Sequence, residues 1–162
     1  MYLSEGDGSM KNESAFENLP VEAIFYGALF ALTNRIQTIG DGVFHDITIR
    51  QHFVLMTIRV FDVDSPTLKD VAEIVGCSYQ NIKRMAVVLE NKGYLAMERD
   101  AEDKRKFKLI LTEKVNSVSS GMDEEINSFL GTLYKNLSKE ELLSALAVLK
   151  KLDHNLLSIQ QV

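Results

Sequence analysis

The chain has 162 residues, 46% of them apolar and 25% charged, with a net charge of −5. These proportions are those of an ordinary soluble globular protein, with room for one domain or for a small domain on an oligomerising frame. A single cysteine, Cys77, excludes an internal disulfide and a multi-cysteine metal site, and the acidic balance argues by itself against nucleic acid.

Between Met1 and Leu19 there is neither a basic start nor an apolar run, so no signal peptide is read there. The longest apolar stretches, such as Ala23 to Leu32, are interrupted and too short to span a bilayer, which points to a cytoplasmic protein with no membrane partner. Only Pro20 and Pro66 interrupt the chain as prolines, so long helices are allowed through most of it.

Residues 1–18 are polar and read as a flexible tail. A first helix is expected from Leu19 to Ile39, because Phe25, Ala28, Leu32, Ile36 and Ile39 recur at spacings of three and four; Gly40 and Gly42 are expected to stop it. Thr48 and Gln51 have the spacing of a capping box and open a second helix with Leu55 and Ile58 inward. After Ser65-Pro66, Thr67 and Asp70 cap a third helix that runs to Val75. Gly76-Cys77-Ser78 makes a tight turn, and Ser78 caps a fourth helix. There Ile82, Met85, Ala86 and Leu89 face inward, while Tyr79, Gln80, Lys83, Arg84 and Val87 face away; Gly93 ends the helix.

The apolar period then changes from 3.6 to 2. Tyr94 to Glu98 reads as one strand and Lys106 to Leu111 as the next, joined by a charged turn from Arg99 to Arg105: a β-hairpin with a polar tip. Two helices complete the chain, one with Val115, Val118, Met122, Ile126, Phe129 and Leu133 on a stripe. The other opens on a Ser138–Glu141 capping box and carries Leu142, Leu146, Leu149, Leu152, Leu156 and Ile159.

Charge follows this division. Ser78 to Thr112 holds eight basic residues against five acidic ones, a local +3 that leaves −8 for the remainder. A basic module on an acidic frame can bind phosphate locally while the frame resists unspecific adhesion. Helix, helix, short turn, helix, hairpin is the order of a winged helix-turn-helix module, and the outer helices have more apolar stripe than that module can cover. Pairing with the same helices of a second subunit is the economical solution. The expected fold is mainly α with a small β-hairpin wing, a winged helix-turn-helix module carried on a helical dimerisation frame.

Three segments, in this order, resemble the MarR family of multiple-antibiotic-resistance regulators. Leu68 to Leu95 (LKDVAEIVGCSYQNIKRMAVVLENKGYL) follows its helix-turn-helix pattern, and Asp100 to Thr112 (DAEDKRKFKLILT) resembles its Asp-x-Arg wing and following strand. Leu137 to Leu152 (LSKEELLSALAVLKKL) resembles its dimerising last helix. The resemblance covers residues 19–160. It implies a homodimer with recognition helices in successive major grooves of double-stranded DNA and wing arginines in the flanking minor grooves. Matched by position, Ser78, Tyr79, Gln80, Asn81, Lys83 and Arg84 are the recognition-helix contacts. Asp103 and Arg105 match the wing pair, with Asp103 restraining Arg105, and Lys104 between them is a further candidate DNA contact. The domains expected are then the tail, 1–18; a dimerisation region, 19–44 with 113–162; and a DNA-binding domain, 45–112.

The chemistry of these residues agrees with such roles. A helix N-terminus attracts phosphate, Gln and Asn can pair with adenine and Arg with guanine, and an arginine on a narrow hairpin suits a narrow minor groove. This sequence departs from the family at Val87, Val88 and Met97, where polar or basic residues are usual, although Arg99 stands near Met97.

His45, His52 and His154 are too scattered for a metal site, and no cofactor or catalytic set is expected. Phe25, Tyr26, Phe30, Phe44, Phe53 and Phe61 either partly line a ligand cavity or belong to plain core, and the sequence leaves both open. Two readings follow. One is a dimeric, sequence-specific transcriptional regulator, a repressor released from a pseudo-palindromic operator by a small effector, with aromatic compounds as candidates. The other is a winged-helix dimer that holds protein partners without DNA.

Overall fold

Side-chain caps divide the middle of the chain into helices, and each stands where the residue spacing puts it. In the computed structural model of the protein, residues 19–43, 45–61 and 65–159 are described, with backbone alone for 116–123. The expected tail 1–18, Phe44, and the side chains of Val118 and Met122 lie outside the described residues. The elements are α1 (Val21–Val43), α2 (Ile49–Val60), α3 (Leu68–Val75), α4 (Tyr79–Asn91), β1 (Leu95–Arg99), β2 (Phe107–Leu111), α5 (Glu113–Leu133) and α6 (Lys139–Ile159). The described residues are thus mainly helical with one antiparallel hairpin, as expected.

Thr48 Oγ1 accepts the Gln51 N–H at 3.2 Å, and Gln51 Oε1 accepts the Thr48 N–H at 3.1 Å. Thr67 and Asp70 do the same for α3, and Ser138 and Glu141 for α6. The Ser78 hydroxyl accepts the Asn81 N–H at 3.3 Å and caps α4. Each cap satisfies backbone donors that a helix start would otherwise leave open, an effect of about 1 kcal/mol apiece.

α1 departs from expectation. It does not stop at Ile39 but passes through Gly40 and Gly42 to Val43. Glycine inside a helix costs about 1 kcal/mol relative to alanine, and at Gly40 the reason for it is space. A Cβ on this buried residue would lie 2.3 Å from Ile49 Cδ1 and 3.0 Å from Ile49 Cβ. The absent side chain lets the first residue of α2 sit against α1. Asp41 Oδ1 then accepts the Ile49 N–H at 2.8 Å, serving one more open donor of α2.

The core lies among α2, α3, α4 and the hairpin. Val54, Leu55 and Ile58 meet Leu68 and Val71, Ile82, Ala86 and Leu89, and Leu95 and Leu109, all buried. Burying each such side chain stabilises the fold by about 1.5–3 kcal/mol. Between α3 and α4 the chain turns sharply: Gly76 takes a left-handed φ of 69°, and the half-buried Cys77 donates its N–H to Ala72 O at 3.1 Å.

The hairpin pairs Leu95 with Leu111, Met97 with Leu109 and Arg99 with Phe107. Tyr94, expected as the first strand residue, lies just outside because its N–H still closes the end of α4, donating to Leu89 O at 2.9 Å. Arg99, expected in the turn, is the last residue of β1, with its guanidinium 5.3 Å from the Phe107 ring centroid. The other edge of β2 is also occupied: Leu109 donates to Pro66 O at 2.9 Å, and Thr67 bridges Lys108.

The chain divides into two units, the first ending at Glu125 and the second beginning at Ile126. In the first, α1 leaves Phe25, Tyr26, Phe30, Leu32 and Ile39 exposed. In the second, Asn136 takes a left-handed φ of 65° in the turn after α5, and no described residue of α6 is buried. Leu146, Leu149, Leu156 and Ile159 of its stripe are exposed, with Leu142 and Leu152 half-buried. Among the described residues no helix is long and apolar enough to cross a membrane.

Candidate nucleic-acid interface

The burial of Ile82, Ala86 and Leu89 fixes which face of α4 is free. Tyr79, Gln80, Lys83, Arg84, Val87 and Val88 are exposed and Asn81 is half-buried. Arg84 Nη2 donates to Asn81 Oδ1, one turn back. Glu90, on the flank of α4, accepts the Met97 N–H at 2.7 Å and ties the helix to the outer edge of β1. Met97, half-buried in β1, therefore offers no backbone donor to a partner.

The hairpin turn is braced from inside by its acids. Asp100 Oδ1 accepts the N–H groups of Glu102 and Asp103, both at 2.8 Å, and Asp100 Oδ2 pairs with Lys108 Nζ at 3.1 Å. The Asp103 N–H above all, then Lys108 and the Glu102 N–H, hold the Asp100 carboxyl down at about 2. Asp103 Oδ1 accepts both the backbone N–H and the Nε–H of Arg105 at 3.1 Å, and Oδ2 takes Nη2 at 3.3 Å. The Arg105 side chain leads the causes that lower the Asp103 pKa. Arg105 itself is 91% exposed, so its guanidinium is aimed but open to a partner. Arg99 Nη1 donates to Lys104 O at 2.9 Å, leaving the Lys104 side chain exposed.

The structure thus presents a helix face bearing Gln80, Lys83 and Arg84, and a hairpin tip bearing Lys104 and Arg105. Both rest on one core.

A second cluster, which the sequence did not reveal, sits at the far end of α4. Asp46, in the α1–α2 loop, accepts from the Tyr94 hydroxyl at 2.7 Å and pairs with Lys92 Nζ at 3.2 Å and Lys114 Nζ at 3.7 Å. Lys92 Nζ also donates to Asp46 O. Lys114 Nζ lies 4.2 Å from the Tyr94 ring centroid and donates to Lys92 O at 2.7 Å. The Tyr94 hydrogen bond first, then that of Lys92, lowers the Asp46 pKa. Burial first, then Asp46, pushes the Tyr94 hydroxyl up to about 12. One carboxylate thereby joins the end of α1, the end of α4 and the start of α5. No sequence spacing signals it, since Asp46 and Tyr94 are 48 residues apart.

Of the aromatic residues considered for a ligand cavity, Phe53 and Phe61 line an apolar cleft of about 370 Å³ with Met56, Thr57, Val60 and Ile74, between α2 and α3. Tyr26 and Phe30 instead contact each other on α1, with ring centroids 4.9 Å apart. Among the described residues no group of three His, Cys, Asp or Glu side chains is placed to hold a metal.

A short-turned pair of helices, α3 and α4, followed by a braced basic hairpin on the same core, makes this a winged helix-turn-helix protein. No family model matches the sequence, but solved structures match the fold. The MarR protein from Peptoclostridium difficile is 19% identical, with a TM-score of 0.71 over 96% of this chain and 92% of that one. MepR of S. aureus, solved as a DNA complex, is 24% identical, with a TM-score of 0.70 over 81% of this chain and 97% of that one. BpsR of Bordetella bronchiseptica, whose DNA binding is regulated by 6-hydroxynicotinic acid, is 20% identical, with a TM-score of 0.66 over 78% and 90%. The fold of this chain is that of the MarR-family transcriptional regulators.

Proposed function

We propose that the protein is a MarR-family, homodimeric, sequence-specific DNA-binding transcriptional regulator, a repressor released from a pseudo-palindromic operator by a small ligand. The observation that carries the reading is the joint presentation of Gln80, Lys83 and Arg84 on α4 and an Asp103-held Arg105 at the wing. The helix is sized for the major groove and the arginine for the minor groove beside it. Ser78, Tyr79 and Asn81 at the start of α4, and Lys104 at the wing, complete the contact set.

Dimerisation would supply what each unit leaves uncovered, the exposed apolar residues of α1 and of α6. Two recognition helices reach successive major grooves only when about 34 Å apart. A ligand that changes this separation lowers affinity for the operator. Regulation of BpsR by an aromatic acid, in a protein of the same fold, supports an effector of this kind.

The test is binding to labelled duplex from the DNA upstream of the coding region, followed by fluorescence anisotropy as salt is raised. Six phosphate contacts predict a fall of roughly 10³ in affinity between 50 and 200 mM salt. A flat response, or no binding to any duplex, would favour the second reading, a winged-helix dimer that holds protein partners. The exposed Val87 and Val88 on α4 are the observation on its side.

A further inference from the structure

The third turn of α4 carries two valines on its free face, Val87 at 38% exposure and Val88 at 39%. At 3.6 residues per turn, Gln80, Arg84 and Asn91 form the ridge directly opposite the buried Ile82, Ala86 and Leu89. Val87 lies on one flank of that ridge beside Lys83, and Val88 on the other, slightly further round. Helix propensity does not favour a β-branched residue at either place.

We propose that Val87 is a specificity-determining residue that reads the C5-methyl group of a thymine in the major groove. This rests on the DNA-binding reading above. Among the base edges of that groove only thymine offers a methyl group; the rest present donors and acceptors. A valine has neither, so against guanine, cytosine or adenine it would strip water from polar atoms without replacing the lost hydrogen bonds. Against thymine it buries methyl on methyl. The exposed Lys83 and Arg84 bracket Val87 and supply the charge that draws this part of the helix to phosphates. The apolar side chain then sits within a cationic surface, an arrangement that suits a nucleic acid groove better than an apolar protein partner.

The experiment uses a duplex recovered by the full-length wild-type protein from a random-sequence pool, resynthesised with deoxyuridine for thymidine one position at a time. At one position in each half-site, loss of the methyl is expected to weaken wild-type binding about fourfold. Val87→Ala should bind the thymidine and deoxyuridine duplexes alike with an unchanged salt slope, and Val88→Ala should keep the thymidine preference. Val87→Ser provides a second variant should Val87→Ala lose its cooperative unfolding transition. Indifference of the wild type to deoxyuridine at every position would overturn the inference while leaving DNA binding intact. A thymidine preference that survives Val87→Ala and Val87→Ser, or disappears in Val88→Ala, would remove the assignment to Val87. Failure to recover or bind any duplex would overturn both the inference and the reading on which it rests.

Discussion

The Tyr94 hydroxyl donates to Asp46 Oδ2 at 2.7 Å, joining the residue that closes α4 to the loop in which α1 ends. Tyr94 is 1% exposed, whereas half of the Asp46 side chain is open to water, so the bond has one buried and one hydrated partner. Tyr94→Phe should therefore cost about 1.5 kcal/mol, the low end for a bond to a charged group, read from urea unfolding near neutral pH.

The same pair predicts a pH signature. The folded pKa of Tyr94 is raised, so its contribution is complete below the ordinary value of 10 and is lost as pH rises through about 12. Asp46 is the opposite case: lowered in the fold, it contributes above its ordinary value of 3.8 and loses that contribution as pH falls through the folded value. The stability of Tyr94→Phe should vary less than that of the wild type between pH 10 and 12. Equal slopes for the two proteins would show that the Tyr94 pKa is not raised in the fold.

Gly40 and Gly42 lie two residues apart in one helix and should respond oppositely to alanine. At Gly42 an added Cβ meets nothing within 4 Å, so Gly42→Ala should stabilise by about 0.5–1 kcal/mol. At Gly40 it would run into Ile49. Overpacking of this kind typically costs about 1–3 kcal/mol and outweighs the gain in helix propensity. Thermal unfolding of the two variants, compared with the wild type, gives the sign of each.

Arg105→Ala should leave stability within about 0.5 kcal/mol of wild type, as expected for an exposed side chain, yet weaken the proposed DNA binding. Asp103→Ala should also weaken it, though less, because the arginine keeps its charge and loses only its restraint. Anisotropy titrations at fixed salt, paired with unfolding curves, distinguish both outcomes from a general loss of fold. Tight binding by Arg105→Ala at moderate salt would count against the wing contact.

If the proposed dimer forms through the exposed stripe of α6, introducing charge there as Leu149→Glu should shift the protein toward monomer in sedimentation velocity. An unchanged sedimentation coefficient would count against α6 as the subunit contact of the proposed dimer.

Local rules made much of this fold legible. Thr48, Thr67, Ser78 and Ser138 announced four helix starts because a cap is a contact between residues three apart. Gly76 and Gly93 marked turns because their left-handed backbone suits no other residue as well. What escaped was long-range. Gly40 reads in sequence as a helix stop, since the cause of its presence, Ile49, belongs to the next helix. The Asp46 cluster and the Leu109–Pro66 bond join segments tens of residues apart in no repeating pattern. In the candidate site the residue types on α4 and the wing were legible. The Glu90–Met97 bond and the position of Arg99 against Phe107 were not, because each depends on how the hairpin lies beside α4.

The bracing of the hairpin turn by Asp100 and Asp103 has a kinetic corollary. A loop whose carboxylates already hold its own amides and its arginine has little freedom left to surrender when it docks. Under the proposed function, such a wing would act as a preset gauge, accepting grooves of the right width and leaving others quickly, without reshaping itself to each in turn. Discrimination among sequences would then reside in how long the protein stays, not in how often it arrives.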